Sequence, residues 1–258
     1  MKHVAIWWMC LLAVAISGCQ KELRSDAAAP GNLFTLKIRF SPVVDAQPLQ
    51  FNSTYTNAFN EPYSVKTFKF YISQVDLINA DSGIVYKTDR NNYYLINEAD
   101  TGSAFIPLTP ASHRYNQLAF VVGVDSVRNV SGAQTGALDP ANGMFWTWNS
   151  GYIMAKLEGS SPLSNQPDNR IEYHIGGFKA PHNVVNRIVL PLPAVQATAF
   201  GAGATSTLIV TANVNAWFHH PHELRIASTP VWMTPGEPSR KIAENYSHMF
   251  TVTQVSNN

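Results

Sequence analysis

Cysteine is scarce in this sequence of 258 residues, which contains only Cys10 and Cys19. Both lie within the first 19 residues, so the rest of the chain has no thiol. A disulfide, a thiolate metal site, a cysteine nucleophile and a CxxCH haem attachment are therefore excluded beyond residue 19. Any metal bound there must be held by histidine, methionine, carboxylate, backbone or modified aromatic groups.

Charged side chains are also few. They make up 14% of the chain, against about 25% in ordinary soluble proteins, and the formal net charge is +1. Such a balance offers no electrostatic footprint for nucleic acid and no polybasic surface for a membrane. The sequence contains no GxSxG, HExxH, P-loop or dinucleotide motif. The carboxylates Asp139, Glu158 and Glu172 give no separation from which to infer a glycosidase pair. We expect a monomer that is not an enzyme.

The first 18 residues have the pattern of a lipoprotein signal peptide. Lys2 gives a positive start, residues 4–16 form an apolar run too short to span a bilayer, and residues 16–19 read Ile-Ser-Gly-Cys, a bacterial lipobox. The pattern predicts cleavage before Cys19 and attachment of a diacylglyceryl group to its sulfur. The lipid would then anchor the protein to a membrane of the cell envelope.

The residues after Cys19 divide into a tether and a domain. Gln20 stands where an Asp would retain a lipoprotein in the inner membrane, which favours the outer membrane, on its periplasmic or its surface face. Residues 19–32 are rich in alanine and predict a flexible tether. Residues 33–258 show no composition shift and no repeat, so we predict a single domain.

The domain reads as β-structure throughout. Apolar and polar side chains alternate over residues 34–40, as in a half-buried strand. The alternation of 68–72 resumes out of phase at Val75, which predicts a bulge at 73–74, and Asp-Ser-Gly at 81–83 predicts a hairpin turn. The other predicted strands are 93–97, 116–122, 151–157, 170–175, 184–192, 208–214 and 250–255. No segment has the pattern of a long amphipathic helix, so we predict an all-β fold, an antiparallel two-sheet β-sandwich with long loops.

A stretch rich in aromatic residues follows a loop over residues 125–143. If it is extended, Met144, Trp146 and Trp148 project from one face, and Phe145 and its alternate neighbours from the other. Two indoles then share a surface. The simplest explanation is an aromatic pair in a sandwich core, because aromatic side chains dominate core burial.

Among the histidines, His174 is the preferred ligand candidate. The chain beyond the signal peptide also contains His113, His182, His219, His220, His222 and His248. His174 lies in a predicted strand, and the two glycines that follow it would let the backbone approach a bound group. The alternative is a histidine that hydrogen-bonds to a loop carbonyl.

The sequence His219-His220-Pro221-His222 is the second histidine candidate. Pro221 biases the residue before it towards an extended conformation, so His220 and His222 would point the same way and chelate one ion. Copper and zinc favour imidazole, and copper binds most tightly of the divalent ions at such sites. The alternative is a polar loop after a strand that ends at Trp217.

The aromatic stretch also carries a resemblance. Its order GMFWTWNSGY, followed by Lys156, LEG and the His-Ile-Gly step at 174–176, resembles the MbnP-like family of copper-associated β-proteins. Residues 68–73, 123–125 and 241–250 fit the same resemblance, which covers nearly all of the domain.

The resemblance implies a function. In that family copper is bound by histidines together with a tryptophan oxidised to kynurenine, and the oxidation is attributed to a partner dihaem peroxidase-like enzyme. Here it points to Trp146 or Trp148 as the modified residue and to His174 as the nearest histidine; His220 and His222 remain metal-ligand candidates from their own spacing. Kynurenine offers an aniline nitrogen and a carbonyl where indole offers only an N–H donor.

A second hypothesis needs no metal. Trp146, Trp148 and Tyr152 would form a stacking platform for a sugar or a peptide at the cell surface. Ligand binding to the metal-free protein would favour it.

Overall fold

The computed structural model describes residues 24–25, 33–147, 151–193, 203 and 205–257. The predicted signal peptide, Cys19 with its lipid, and Trp148 lie outside these residues. The strands are β1 (Arg24–Ser25), β2 (Thr35–Val44), β3 (Gln47–Pro48), β4 (Thr54–Thr56), β5 (Pro62–Asn79), β6 (Ile84–Lys87), β7 (Tyr93–Asn97), β8 (Phe105–Leu108), β9 (Gln117–Val122), β10 (Phe145–Trp146), β11 (Gly151–Ser160), β12 (Arg170–Gly176), β13 (Asn186–Pro191), β14 (Thr205–Asn213), β15 (Val231–Trp232) and β16 (Phe250–Asn257). The α-helices are α1 (Ser126–Val130) and α2 (Glu237–Tyr246), and short 3-10 helices span Thr101–Ala104, Gly136–Leu138, Pro140–Asn142, Pro167–Asn169 and Val214–Trp217.

The strands form two sheets. The larger sheet has the order β1-β6-β5-β11-β12-β15, and β4, β7, β9, β10 and β13 join it at the sides. The smaller sheet has the order β16-β14-β2-β3, with β8 paired to β2. Strand β5 is the centre of the larger sheet, because it pairs with β4, β6, β7, β9 and β11.

Aromatic side chains fill the space between the sheets. Phe40 of β2 makes edge contacts with Phe70, Phe120 and Phe250, at centroid distances of 5.8, 5.5 and 6.1 Å. Phe40, Phe70 and Phe250 come from apolar positions of alternating strands, whereas Phe120 comes from β9, a continuous apolar run buried on both faces. Such edge-to-face pairs add to the stabilisation that burial of the rings provides.

The all-β, two-sheet prediction is confirmed. The bulge in β5 is also confirmed, because its register with β9 shifts between Ser73 and Asp76 and Gln74 has a φ of 50°. The sheets are mixed rather than wholly antiparallel, since β14 runs parallel to β2 over nine residue pairs, Thr205↔Thr35 to Asn213↔Val43. Alternation alone does not distinguish the two pairings, because it fixes which face a side chain takes and not the direction of the neighbouring strand.

Helix α2 is an element that the strand pattern missed. Pro238 lies in its first turn, where proline lacks only an N–H that no helical bond needs. Its inner face buries Ile242 and Tyr246, and the Tyr246 ring lies 5.0 Å from that of Trp217. In the described part of the chain, no helix is long and apolar enough to cross a membrane.

Candidate functional site

The aromatic stretch forms a hairpin that buries Trp146. In β10 and β11, Phe145 pairs with Tyr152 and Trp146 with Gly151. Met144 and Trp146 are buried at 0% and 5% exposure, whereas Phe145 is half-buried. The predicted alternation is therefore confirmed up to residue 147, and the face shared with Trp148 lies beyond the described residues.

Two lysines fix the start of this hairpin. Lys69 of β5 and Lys156 of β11 are cross-strand neighbours. The Lys69 ammonium donates a hydrogen bond to the Asn142 carbonyl at 3.1 Å, and the Lys156 ammonium donates to the Gly143 carbonyl at 2.6 Å. Burial, and then the charge of Lys156, lower the pKa of Lys69. The pair holds the two peptide units that lead into Met144 and Trp146, and we refer to it as the lysine clamp.

Two tyrosines tie the preceding loop to the same face of the sheet. The Tyr152 hydroxyl donates to the Leu138 carbonyl at 2.7 Å, and the Tyr71 hydroxyl donates to the Ala137 carbonyl at 3.0 Å. Burial raises the pKa of both phenols, so both remain protonated donors. Tyr152 is 1% exposed. Tyr152 and Trp146 are therefore too deeply buried to form the exposed stacking platform that the second hypothesis requires.

Gly176 explains how the Trp146 indole reaches the sheet. A Cβ at this position would lie 2.6 Å from Cζ3 of Trp146, so only glycine admits the ring. His174 precedes Gly176 by two residues, roughly 6.6 Å along the strand, and takes the same face of β12. The indole and His174 thus share one face. The predicted space for a bound group beside Gly176 is filled by Trp146 itself.

Gly177 brings a second histidine to this region. Its φ is 131°, and a Cβ there would lie 2.6 Å from the carbonyl oxygen of His182. The backbone of His182 therefore packs directly on the chain that leaves β12. Within the described residues, the His182 Nδ1 is buried and has no hydrogen-bond partner. A buried nitrogen in that state is costly unless a further group satisfies it.

A cavity of about 870 Å³ opens between these elements. Its walls come from α1 and the loop after it, the β10–β11 hairpin, and the loop after β12. The lining residues are Asn129, Val130, Gly132, Ala133, Phe145, Trp146, Gly151, Tyr152, Gly177, Phe178, Lys179, Ala180, His182 and Pro235. Trp146 and His182 therefore line the same cavity.

His174 has a partner of its own. Its Nε2 lies 2.7 Å from Oε1 of Glu158, the residue that pairs with Glu172 across the strands. This hydrogen bond, against the opposing effect of burial, lowers the pKa of Glu158 to about 2. The histidine is hydrogen-bonded, as the alternative held, but to a carboxylate rather than to a loop carbonyl. Since Nε2 is committed to Glu158, Nδ1 is the nitrogen through which His174 would bind a metal.

Comparison with known proteins identifies the family. The sequence profile of the MbnP family matches residues 34–234. The chain belongs to the MbnP family. Its fold is similar to that of MbnP from Methylosinus trichosporium, with a TM-score of 0.51 and 14% identity over 87% of this chain and 99% of that chain. At that identity the likeness concerns the fold alone. No curated protein shows significant similarity to this chain.

In this MbnP family member the second histidine group lies apart from the cavity. His220 has a φ of 61°, so the expectation that Pro221 makes it extended is wrong. The His222 Nε2 lies against the carboxylate of Glu244, which Arg240 also contacts, and the pKa of Glu244 is lowered chiefly by the hydrogen bond from His222. Neither His220 nor His222 lines the cavity of Trp146. Their predicted role as ligands remains a prediction.

The ligands predicted from sequence are thus only partly assembled. Over the described ranges, no three His, Cys, Asp or Glu side chains form a group able to hold a metal. His174 lies on the same face of β12 as Gly176, against which the indole packs, but it does not line the cavity, and its role as a ligand remains a prediction. His182 was missed as a leading candidate, and the signal for it was Gly177, whose lack of a side chain admits the His182 backbone.

Proposed function

We propose that this MbnP family member binds copper beside Trp146, with His182 and His174 supplying imidazole and no catalytic turnover of its own. The observation that carries the proposal is the buried Nδ1 of His182, which lacks a hydrogen-bond partner in the described chain and belongs to the cavity that Trp146 lines. Imidazole nitrogen is a preferred ligand of copper.

Oxidation of Trp146 to kynurenine supplies the remaining ligand in this proposal. The indole N–H is a donor only, so unmodified Trp146 offers a metal no lone pair. Conversion to kynurenine removes one indole carbon and adds oxygen, which requires an external oxidant, and the dihaem peroxidase-like partner is proposed in that role. Glu158 fixes the ring of His174 through Nε2, as carboxylates commonly fix metal-binding histidines.

The cellular setting is proposed on sequence grounds. We propose cleavage before Cys19, lipidation of its sulfur and attachment to the outer membrane by the tether of residues 19–32. Copper bound by a lipid-anchored protein would be kept at the cell envelope. Scavenging or carriage of the metal is the role that this arrangement fits.

Native and peptide mass spectrometry test the proposal. The full chain is produced with and without the dihaem partner, exposed to copper and desalted. We expect one retained copper per chain after co-production, together with loss of a carbon and gain of oxygen mapped to the peptide that contains Trp146. Unmodified Trp146 with no retained copper under both conditions would overturn the proposal, and modification confined to Trp148 would move the site.

A further inference from the structure

The cavity is larger than a metal ion needs. Its volume of about 870 Å³ lies within the range of roughly 300–1,000 Å³ that is usual for pockets holding small organic molecules. A single ion with its ligands leaves most of that space to solvent. The cavity therefore has room for an organic ligand.

The walls are apolar and aromatic. Phe145, Trp146, Tyr152 and Phe178 all line the cavity, and Val130 adds an apolar side chain that is 67% exposed. Aromatic side chains bind planar apolar groups by stacking or edge contacts. The walls suit a flat, largely apolar molecule.

The polar wall residue Asn129 already makes its hydrogen bonds within the protein. The Asn129 side-chain nitrogen donates to the carbonyl of Val124 at 2.7 Å, and its oxygen accepts from the Tyr152 backbone N–H at 2.8 Å. Asn129 therefore fastens α1 to the hairpin and has little capacity for a ligand.

The polar groups offered to a ligand come from the loop after β12. His182 also lines the cavity, but its Nδ1, which has no hydrogen-bond partner among the described residues, is buried and does not face the open space. Lys179 contributes a positive charge, with Nζ 5.3 Å from the centroid of the Phe178 ring. The lining described above contains no carboxylate. Lys179 is therefore the charge among the lining residues and favours an anion, while the Glu237 carboxylate lies near His182 from outside the lining.

We propose that the cavity binds a small planar organic anion, with its ring against the half-buried Phe145 and Phe178 and its acidic group towards the exposed Lys179. Apolar burial supplies most of the affinity, and the charge orients the ligand. This inference goes beyond copper binding, because it requires neither a metal nor a modified tryptophan.

A fluorescent probe of matching chemistry tests the inference. 8-Anilinonaphthalene-1-sulfonate combines a flat naphthalene ring with a sulfonate, and it is titrated into the full chain freed of metal by a chelator. We expect saturable binding of one probe per folded chain. The uncharged N-phenyl-1-naphthylamine should bind more weakly. Equal or tighter binding of the uncharged probe, or a signal that does not saturate, would overturn the proposal.

Two variants with matched controls locate the bound probe. Ala133→Phe places a ring in the cavity from an exposed position and should weaken binding at least ten-fold, whereas Ala99→Phe, at an exposed site that does not line the cavity, should not. Lys179→Gln should weaken binding of the anionic probe about five-fold and leave the uncharged probe unchanged. Lys87→Gln serves as its control. Unchanged binding in Ala133→Phe, with circular dichroism confirming the fold, would place the probe elsewhere and overturn the proposal.

The same measurements separate this inference from the copper proposal. Probe binding by a chain that retains no copper, with or without the partner enzyme, would support the organic ligand and contradict the metal. Copper retention by a chain that binds no probe would do the opposite.

Discussion

Two regions of this molecule combine histidine with aromatic side chains, and they differ in what lies beside the histidines. In the first region, Glu244 and Arg240 of α2 form a charged cluster with His222. Around Trp146, the His182 Nδ1 is buried beside a large apolar cavity and has no hydrogen-bond partner in the described residues. The density of histidines in the sequence is higher at 219–222, yet the cavity is the better candidate site. The His219 Nδ1 is likewise buried without a hydrogen-bond partner among the described residues, so the preference rests on the cavity that His182 and Trp146 share.

The largest effect is expected at Gly176. A Cβ 2.6 Å from the Trp146 ring cannot be accommodated without movement, so Gly176→Ala should lower the free energy of unfolding by about 2–3 kcal/mol and expose Trp146. Urea unfolding, and acrylamide quenching of tryptophan fluorescence, measure the two changes. Gly102→Ala is the control, because its Cβ would meet only the flexible Asp100 carboxylate at 3.2 Å. Equal losses of unfolding free energy in the two variants would show that the indole does not pack against Gly176.

The lysine clamp should come next. Lys156→Met keeps the aliphatic stem but removes the bond to the Gly143 carbonyl, and we expect a loss of about 1–2 kcal/mol because the donor is charged and 12% exposed. Lys241→Met, whose ion pair with Glu237 is exposed to solvent, should destabilise the fold less than Lys156→Met. Urea unfolding compares the two variants. If Lys156→Met lowers the free energy of unfolding no more than Lys241→Met does, the lysine clamp does not stabilise the hairpin.

The last prediction compares how the two histidine–carboxylate pairs contribute to stability as the pH changes. The pKa of Glu158 is lowered to about 2, from about 4.3 in an unfolded chain, so its stabilising effect is full above pH 4.3 and is lost as the pH falls towards 2. Glu158→Gln should therefore lower stability by about 1–2 kcal/mol at pH 6, with a difference from the parent that shrinks towards pH 2. Glu244→Gln should change less, since that carboxylate is 37% exposed. Thermal melts between pH 2 and pH 6 measure both. A pH-independent difference at Glu158 would contradict the ion pair.

The strands and the site were not equally predictable from sequence. Alternation placed the strand of Tyr93–Asn97 at its observed bounds and the bulge of β5 at Gln74, because both depend on local burial. Helix α2 was missed because ten residues with Pro238 in the first turn give too short a periodic signal. The direction of β14 against β2 depends on tertiary contacts that no local pattern reports.

The candidate site contains a tryptophan that the sequence analysis singled out and a histidine that it did not prefer. Trp146 and His174 could be named because a family resemblance and strand periodicity both bear on them. His182 could not be preferred, because its position depends on the left-handed Gly177 and on a loop that folds back five residues later. At His220 the bias from Pro221 predicted an extended residue, and the loop geometry overrode it.

Copper affinity in two matched variants tests the central claim most directly. The full chain, co-produced with the dihaem partner, is titrated with copper against a competing chelator as the parent, as His182→Ala and as His222→Ala. We expect His182→Ala to lose at least ten-fold in copper affinity and His222→Ala to keep an affinity close to that of the parent. Loss confined to His222→Ala would contradict this claim and move the metal to the cluster beside α2.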